Sequence, residues 1–139
     1  MEALGRGRTG ESLNAFVRAV AAEEGLDAGL SDALVPLIER TATSSEWTSL
    51  LAVGAPSVEL TVMRRVEGDG VETISEGVID AAALGAEGWQ IVDWKTDDVD
   101  EAEWAARHQR YTRQVDAYAN LLASLTGKPA EGAVERIVP

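Results

Sequence analysis

The residues able to do chemistry here are few, and their spacing is regular. In "IVDWKT", Ile91 to Thr96, an aspartate and a lysine stand two apart in an otherwise apolar run. Side chains in a strand alternate faces, so Asp93 and Lys95 point one way and Val92 and Trp94 the other. A carboxylate and an ammonium on one face of a central strand cost desolvation unless they are paired or used. Read alone, Asp-x-Lys is an ion pair at a sheet margin. Asp80 ends the preceding strand-like run, "GVID", thirteen positions before Asp93. If the two runs form a hairpin across "GAEG", the two carboxylates come close, and they repel unless a proton or a cation lies between them. Oxygen ligands of this kind suit Mg²⁺, which takes one or two carboxylates with waters and phosphate oxygens. Such an ion polarises a phosphoryl group and lowers the pKa of a bound water. A lysine beside it orients the water or stabilises charge on the phosphorus centre. Taken by itself, Asp80 is equally a strand-ending turn residue.

A second constellation lies in "YTRQVDAY", Tyr111 to Tyr118. Gln114 and Tyr118 are four apart and share a helix face. Tyr111, Val115, Tyr118, Leu122 and Leu125 follow a three–four spacing, which is first of all a core stripe. Gln114 fits that stripe poorly, because a buried amide needs partners. Arg107, Arg110 and Arg113 recur every three residues on the same helix. They suit phosphate contacts, or equally a solvated face paired with nearby acids.

The elements that must position these residues are legible in outline. Residues 11–24 read as a helix, with Leu13, Phe16, Val17 and Val20 at helical spacing and Gly25 as a stop. Ser31 is a candidate cap for a second helix through about Thr43. "SSEWTSLLAV" predicts a third, short helix. The pattern then changes to alternation: residues 57–66, 71–80 and 89–95 read as strands, joined by turns at "EGDG" and "GAEG". A long helix follows over 101–125, ended by "TGKP", and residues 132–138 predict a last strand. A helix between two strands allows a parallel crossover. The class is α/β or α+β, a small mixed sheet flanked by helices, with residues 1–10 as a loose lead-in and 11–139 as one domain.

Bulk properties narrow the function. The net charge is −12 over 139 residues, so bulk electrostatics does not draw the chain to polyanions. Any nucleic acid must be held by local cations, metal ions or a partner. There is no cysteine, which removes disulfides, thiolate zinc sites and iron–sulfur clusters together. The first residues, "MEALGRGRTGES", lack the apolar segment of a signal peptide, and no run approaches the ~18 apolar residues of a membrane span. The expected location is cytoplasmic. "GRGRTGES" imitates the spacing of a phosphate loop, but Glu11 stands at the lysine position and no strand precedes it.

"EGVIDAAALGAEGWQIVDWKTD" followed by "YTRQVDAYANLL" resembles the PD-(D/E)xK nuclease domain of the RecB/AddA type. The family pattern is G-x-x-D, an apolar strand ending D-x-K-T, then a helix with Q-x-x-x-Y. It falls on Gly77 and Asp80, on Asp93, Lys95 and Thr96, and on Gln114 and Tyr118. Glu59, in "SVEL", stands where the family often has a glutamate. The resemblance runs over roughly residues 9 to 138 and is strongest from 76 to 122. It implies a restriction-endonuclease-like core that hydrolyses DNA phosphodiesters with Mg²⁺ or Mn²⁺. It implies Asp80, Asp93 and the backbone carbonyl of Trp94 as metal ligands. Lys95 would assist the attacking water, with Gln114 and Tyr118 supporting the site or the DNA. It also implies a helicase partner, within one chain or a complex, in DNA end processing and double-strand-break repair. The sequence departs from the family at Asn14, where many members carry a metal-ligand histidine in G-x-x-x-H. An amide oxygen is a weaker ligand for transition ions but serves Mg²⁺. The one histidine, His108, reads as a surface residue. The alternative is a nuclease-fold module that binds DNA or a partner protein without cutting.

Overall fold

The computed structural model describes residues 10–68 and 71–138. Three helices come first: α1 (Gly10–Glu23), α2 (Ala28–Thr43) and α3 (Ser45–Val53). Helix α1 buries Leu13, Val17 and Ala21 along one stripe. It ends where Gly25 turns left-handed at φ +73° and the Leu26 N–H reaches the Ala21 carbonyl at 2.8 Å. The second helix begins three residues before the position expected from Ser31. Asp27 is its cap, accepting the Leu30 N–H at 2.9 Å. Ser44 caps α3 by accepting the Trp47 N–H at 3.1 Å, which turns Trp47 and Leu50 into the core.

The sheet follows: β1 (Ser57–Gly68), β2 (Val71–Leu84) and β3 (Trp89–Lys95), then α4 (Glu101–Thr126) and β4 (Ala130–Arg136). Strand order is β1-β2-β3-β4, the first two pairings antiparallel and the last parallel, with α4 as the crossover. The protein is therefore α/β, a four-stranded mixed sheet flanked by helices, consistent with a restriction-endonuclease-like core. Asp69 and Gly70 of the "EGDG" turn lie outside the described residues, as do residues 1–9 of the lead-in. Gly10 already belongs to α1. Strand β2 runs four residues past its expected end because Ala81, Ala82 and Ala83, all 0% exposed, are small enough to lie between helices on both faces. Strand β4 starts two residues earlier than its β-branched residues indicate, since pairing with Trp89 begins at Ala130. No helix of the described residues is long and apolar enough to cross a membrane.

Each face of the sheet has its own core. Leu13, Val17, Trp47 and Leu50 pack on Ala81, Ala83 and Val92. Val115, Ala119 and Leu122 of α4 pack on the other face, against Val62, Ile79, Ala82 and Ile91. The memberships expose a break in the alternation. Ile79 shares a side with Ala82 rather than with Ala81, and Leu60 shares a side with Val62 but not with Val58. Both strands change phase at one place. It is the rung that would join Glu59 to Asp80, absent from an otherwise continuous ladder that runs from Val58↔Ala81 to Leu60↔Ile79. Glu59 has φ +52°, a left-handed conformation unfavourable to a side chain. An irregularity of this kind re-aims side chains within a sheet.

The helix α4 sits close to the sheet because glycines make room. A Cβ on Gly77 would lie 2.4 Å from Tyr118 Cε1, and one on Gly132 would lie 2.3 Å from Val115 Cγ1. Either substitution forces the helix away from the strands. The conformation of Glu59 gives a cleaner test. Replacing it with glycine relieves the left-handed strain, less the extra chain entropy glycine loses on folding. We predict that Glu59→Gly raises unfolding stability by about 0.5–1 kcal/mol in urea titration. A loss of stability would show that the strain has been misassigned.

Candidate active site

The phase change at Glu59 and Asp80 sets up the site. The β2–β3 ladder ends at Ala81↔Val92, so the next rung would place Asp80 opposite Asp93. That rung is not made by the main chain. Instead the Trp94 N–H donates to Asp80 Oδ2 at 2.9 Å, and the carboxylate takes the place of a backbone carbonyl. On the other edge of β3, the Lys95 carbonyl accepts the Ile137 N–H at 2.9 Å. Main-chain groups alternate edges along a strand, so the Trp94 carbonyl faces the same edge as Asp80.

Asp93 is buried, at 2% exposure, next to the apolar Ile91 and Val92. Burial pushes its carboxyl above the usual carboxylate range, the Lys95 ammonium opposes this, and the charge of Asp80 adds to it. Lys95 Nζ lies 2.5 Å from Asp93 Oδ2. That contact is ionic and lacks hydrogen-bond alignment, so the oxygen has no hydrogen-bond partner. A buried carboxylate oxygen in that state is held at a cost. Asp80 and Asp93 thus bring hard oxygen donors to one ladder end, with a lysine beside them. Among the described residues, no group of three or more carboxylate, imidazole or thiolate side chains gathers as a metal cage.

The other residues singled out in the sequence fall around this centre. Gln114 Nε2 donates to the Tyr118 hydroxyl at 2.8 Å, and the Tyr118 ring lies on Gly77, three residues before Asp80. The Gly-x-x-Asp and Gln-x-x-x-Tyr motifs therefore touch each other through the ring and the glycine, and the glutamine amide is spent on the tyrosine rather than on Asp80 or Asp93. Asn14 Nδ2 donates to Glu39 Oε1 at 2.9 Å on α2. Its Oδ1 is buried without a partner. His108 is exposed and stacks on Trp104 with ring centroids 5.6 Å apart, as a surface residue. Arg107 pairs with both Asp97 and Glu103, which fits the solvated-face reading of the arginine series.

Three contributors were not visible as such in the sequence. Tyr111, counted there in the core stripe, packs in neither hydrophobic cluster. Its ring centroid lies 5.0 Å from Lys95 Nζ, and its hydroxyl donates to Asp97 Oδ2 at 2.9 Å. That hydrogen bond, with the Arg107 pair, holds the Asp97 carboxyl below its usual range. Behind the sheet, Glu135 clamps the Trp94 indole: Trp94 Nε1 and the Ser44 hydroxyl both donate to Glu135 Oε2. Burial raises the Glu135 carboxyl, and Glu46 beside it ionises first. Glu59 is the third, recognisable only by its backbone angle. Aromatic residues at helical spacing suggest core by default, so Tyr111 gave no signal until Lys95 was placed.

No family model matches the chain. A segment of 52 residues, 37% of the chain, is 44% identical to part of an ATP-dependent helicase/nuclease from Carboxydothermus hydrogenoformans, in the larger of whose names it is a subunit. The matched segment amounts to 4% of that protein. Among solved structures, the crystal structure of SSO0001 superposes with a TM-score of 0.50 at 14% identity. The match covers 78% of this chain and 54% of that one, and at that identity it speaks to the fold alone. The chain is thus similar, over part of its length, to a helicase/nuclease subunit.

Proposed function

We propose that residues 11–139 form one nuclease domain of the RecB/AddA type, which hydrolyses DNA phosphodiesters with Mg²⁺ or Mn²⁺. The observation that carries this reading is the buried Asp93 carboxylate, with Asp80 beside it and the Lys95 ammonium at 2.5 Å. A carboxylate held at such a cost has a use, and its orphaned oxygen suits a hard cation. The partial similarity to a helicase/nuclease subunit supports the same assignment. By that similarity, a helicase domain or subunit would deliver the DNA, in end processing for double-strand-break repair.

The residues present fit a divalent ion. Asp80 Oδ1, Asp93 Oδ2 and the Trp94 carbonyl would hold it, all oxygen donors. When bound, it supplies charge neutralisation at the phosphoryl oxygens and a more acidic water. The chain's own groups do the rest. Lys95, held against Asp93, orients the attacking water and donates to the charge that develops on the phosphoryl oxygens. The water oxygen bonds to phosphorus, the bond from phosphorus to the leaving sugar oxygen breaks, and the water proton passes to solvent. Gln114 and Tyr118, bonded to one another over Gly77, form a polar rim beside the site for the DNA strand.

One observation favours a second reading, a nuclease-fold module that binds DNA or a partner protein without cutting. Asn14 stands at the family's histidine position, and its amide is turned to Glu39. The two readings separate in one assay, with linear single- and double-stranded DNA and Mg²⁺ or Mn²⁺. We expect the parent protein to cut, and Asp93→Ala and Lys95→Ala each to lose more than about 100-fold in rate. Binding without cutting with either ion favours the second reading. Equal cutting by Asp93→Ala removes the site assignment.

The raised Asp93 carboxyl adds a pH signature. A folded-state pKa above the unfolded value of about 4 means that the native protein binds the proton more tightly. Metal-free, the parent therefore loses stability relative to Asp93→Asn as pH rises from about 4 through the raised value. Mg²⁺ must displace that proton, so its affinity falls as pH drops through the same window. Thermal unfolding across pH, with and without Mg²⁺, measures both. Parallel pH profiles for parent and Asp93→Asn would refute the role of the buried carboxylate.

A further inference from the structure

Lysine is a long, flexible side chain, and a single ionic contact leaves its ammonium free to swing. Lys95 has more than one. Its carbonyl is held by the Ile137 N–H and its Nζ meets Asp93 Oδ2 at 2.5 Å. The Tyr111 ring centroid lies 5.0 Å from the same nitrogen, within the range where a cation is attracted to a ring face. The ring is fixed in turn. Its hydroxyl donates to Asp97 Oδ2 at 2.9 Å, and the Trp104 ring stacks beside it, 6.2 Å away between centroids. Asp97 is anchored by the Arg107 ion pair and, through its main-chain carbonyl, by Arg136 Nε at 3.3 Å. The segment leaving Lys95, which has no regular structure, is thereby tied to α4 and β4.

A tyrosine serving only to fill the core would pack with the apolar clusters, as Tyr118 does; Tyr111 belongs to neither. We infer that Tyr111 is a positioning residue for Lys95: its ring holds the ammonium at Asp93, and its bond to Asp97 holds the ring. Only the effect on cleavage rests on the nuclease reading; the placement of the lysine can be measured without it.

The test uses the fact that the chain has two lysines, Lys95 and Lys128. In a carbon–proton NMR spectrum, the Lys95 ε-methylene should lie upfield of Lys128, shifted by the current of the Tyr111 ring. Tyr111→Leu should move it to the Lys128 position, while Tyr111→Phe, which keeps the ring, should leave it upfield but broadened. An unchanged Lys128 signal reports that the fold is intact. If Tyr111→Leu does not fold, Asp97→Ala frees the hydroxyl and should broaden the Lys95 signal in the same way as Tyr111→Phe. A Lys95 signal unmoved by Tyr111→Leu, or in the fallback by Asp97→Ala, overturns the inference. In cleavage, Tyr111→Leu should lower kcat roughly tenfold with KM for DNA unchanged, and Tyr111→Phe should restore most of the rate. Parental kcat in Tyr111→Leu also overturns it. If the parent cuts no DNA, the nuclease reading fails and the lysine signal alone decides.

Discussion

Asp93 holds its carboxylate at 2% exposure in a sheet whose two faces are covered by helices. In that setting a charge is far from water, and one neighbouring ammonium seldom repays the desolvation. The structure around it reads as a set of responses. Lys95 is placed on the same face by strand alternation, and Tyr111 and Asp97 hold it there. Asp80 is brought alongside by giving up a rung of the sheet and placing Glu59 in a left-handed conformation. Strain and an unsatisfied oxygen at one spot are what functional centres accumulate, whereas a purely structural ion pair would have been simpler to omit.

What the sequence made legible follows from what is periodic. Asp93 and Lys95 share a face because strands repeat every two residues, and Gln114 and Tyr118 meet because helices repeat every three to four. The strand β3, Trp89–Lys95, falls where alternation and turn residues placed it. The less legible parts depend on contacts distant in sequence. Asp27 rather than Ser31 starts α2, because both are plausible caps and only tertiary packing chooses between them. "AAAL" reads weakly as strand, yet burial on both faces makes it one. The phase change at Glu59 and Asp80 left no trace in the hydrophobic pattern, because each strand alternates regularly on either side of it. Tyr111 was hidden for a similar reason: a tyrosine at helical spacing has two uses, and the sequence alone favours the commoner one.

The helix α4 joins the halves of the molecule. Its buried stripe, Val115, Ala119 and Leu122, closes one core, and its polar edge presents Gln114, Tyr118 and Tyr111 to the strands that carry Asp80, Asp93 and Lys95. Gly77 and Gly132 set the distance between helix and sheet, so packing and the geometry of the site are coupled through two missing side chains. The arginines of the helix are divided between tasks: Arg107 ties down the segment after Lys95, while Arg110 lies over the far reach of the Tyr111 ring, 5.2 Å from its centroid.

The parallel pairing of β3 with β4 has a consequence for how the chain assembles. Asp80 and Asp93 are joined by a tight turn closed by a 2.9 Å bond from the Gly85 N–H to the Gly88 carbonyl, so their hairpin has low contact order. Strand β4 reaches β3 only after the whole of α4 has been threaded between them, a non-local closure that comes slowly. By topology, then, the two acidic groups meet early, in a hairpin still open to water, and their repulsion is screened at that stage. The apolar cover arrives afterwards with α4, bringing Tyr111 to its lysine in the same step. The order of assembly separates the half of the site that collects charge from the half that directs it.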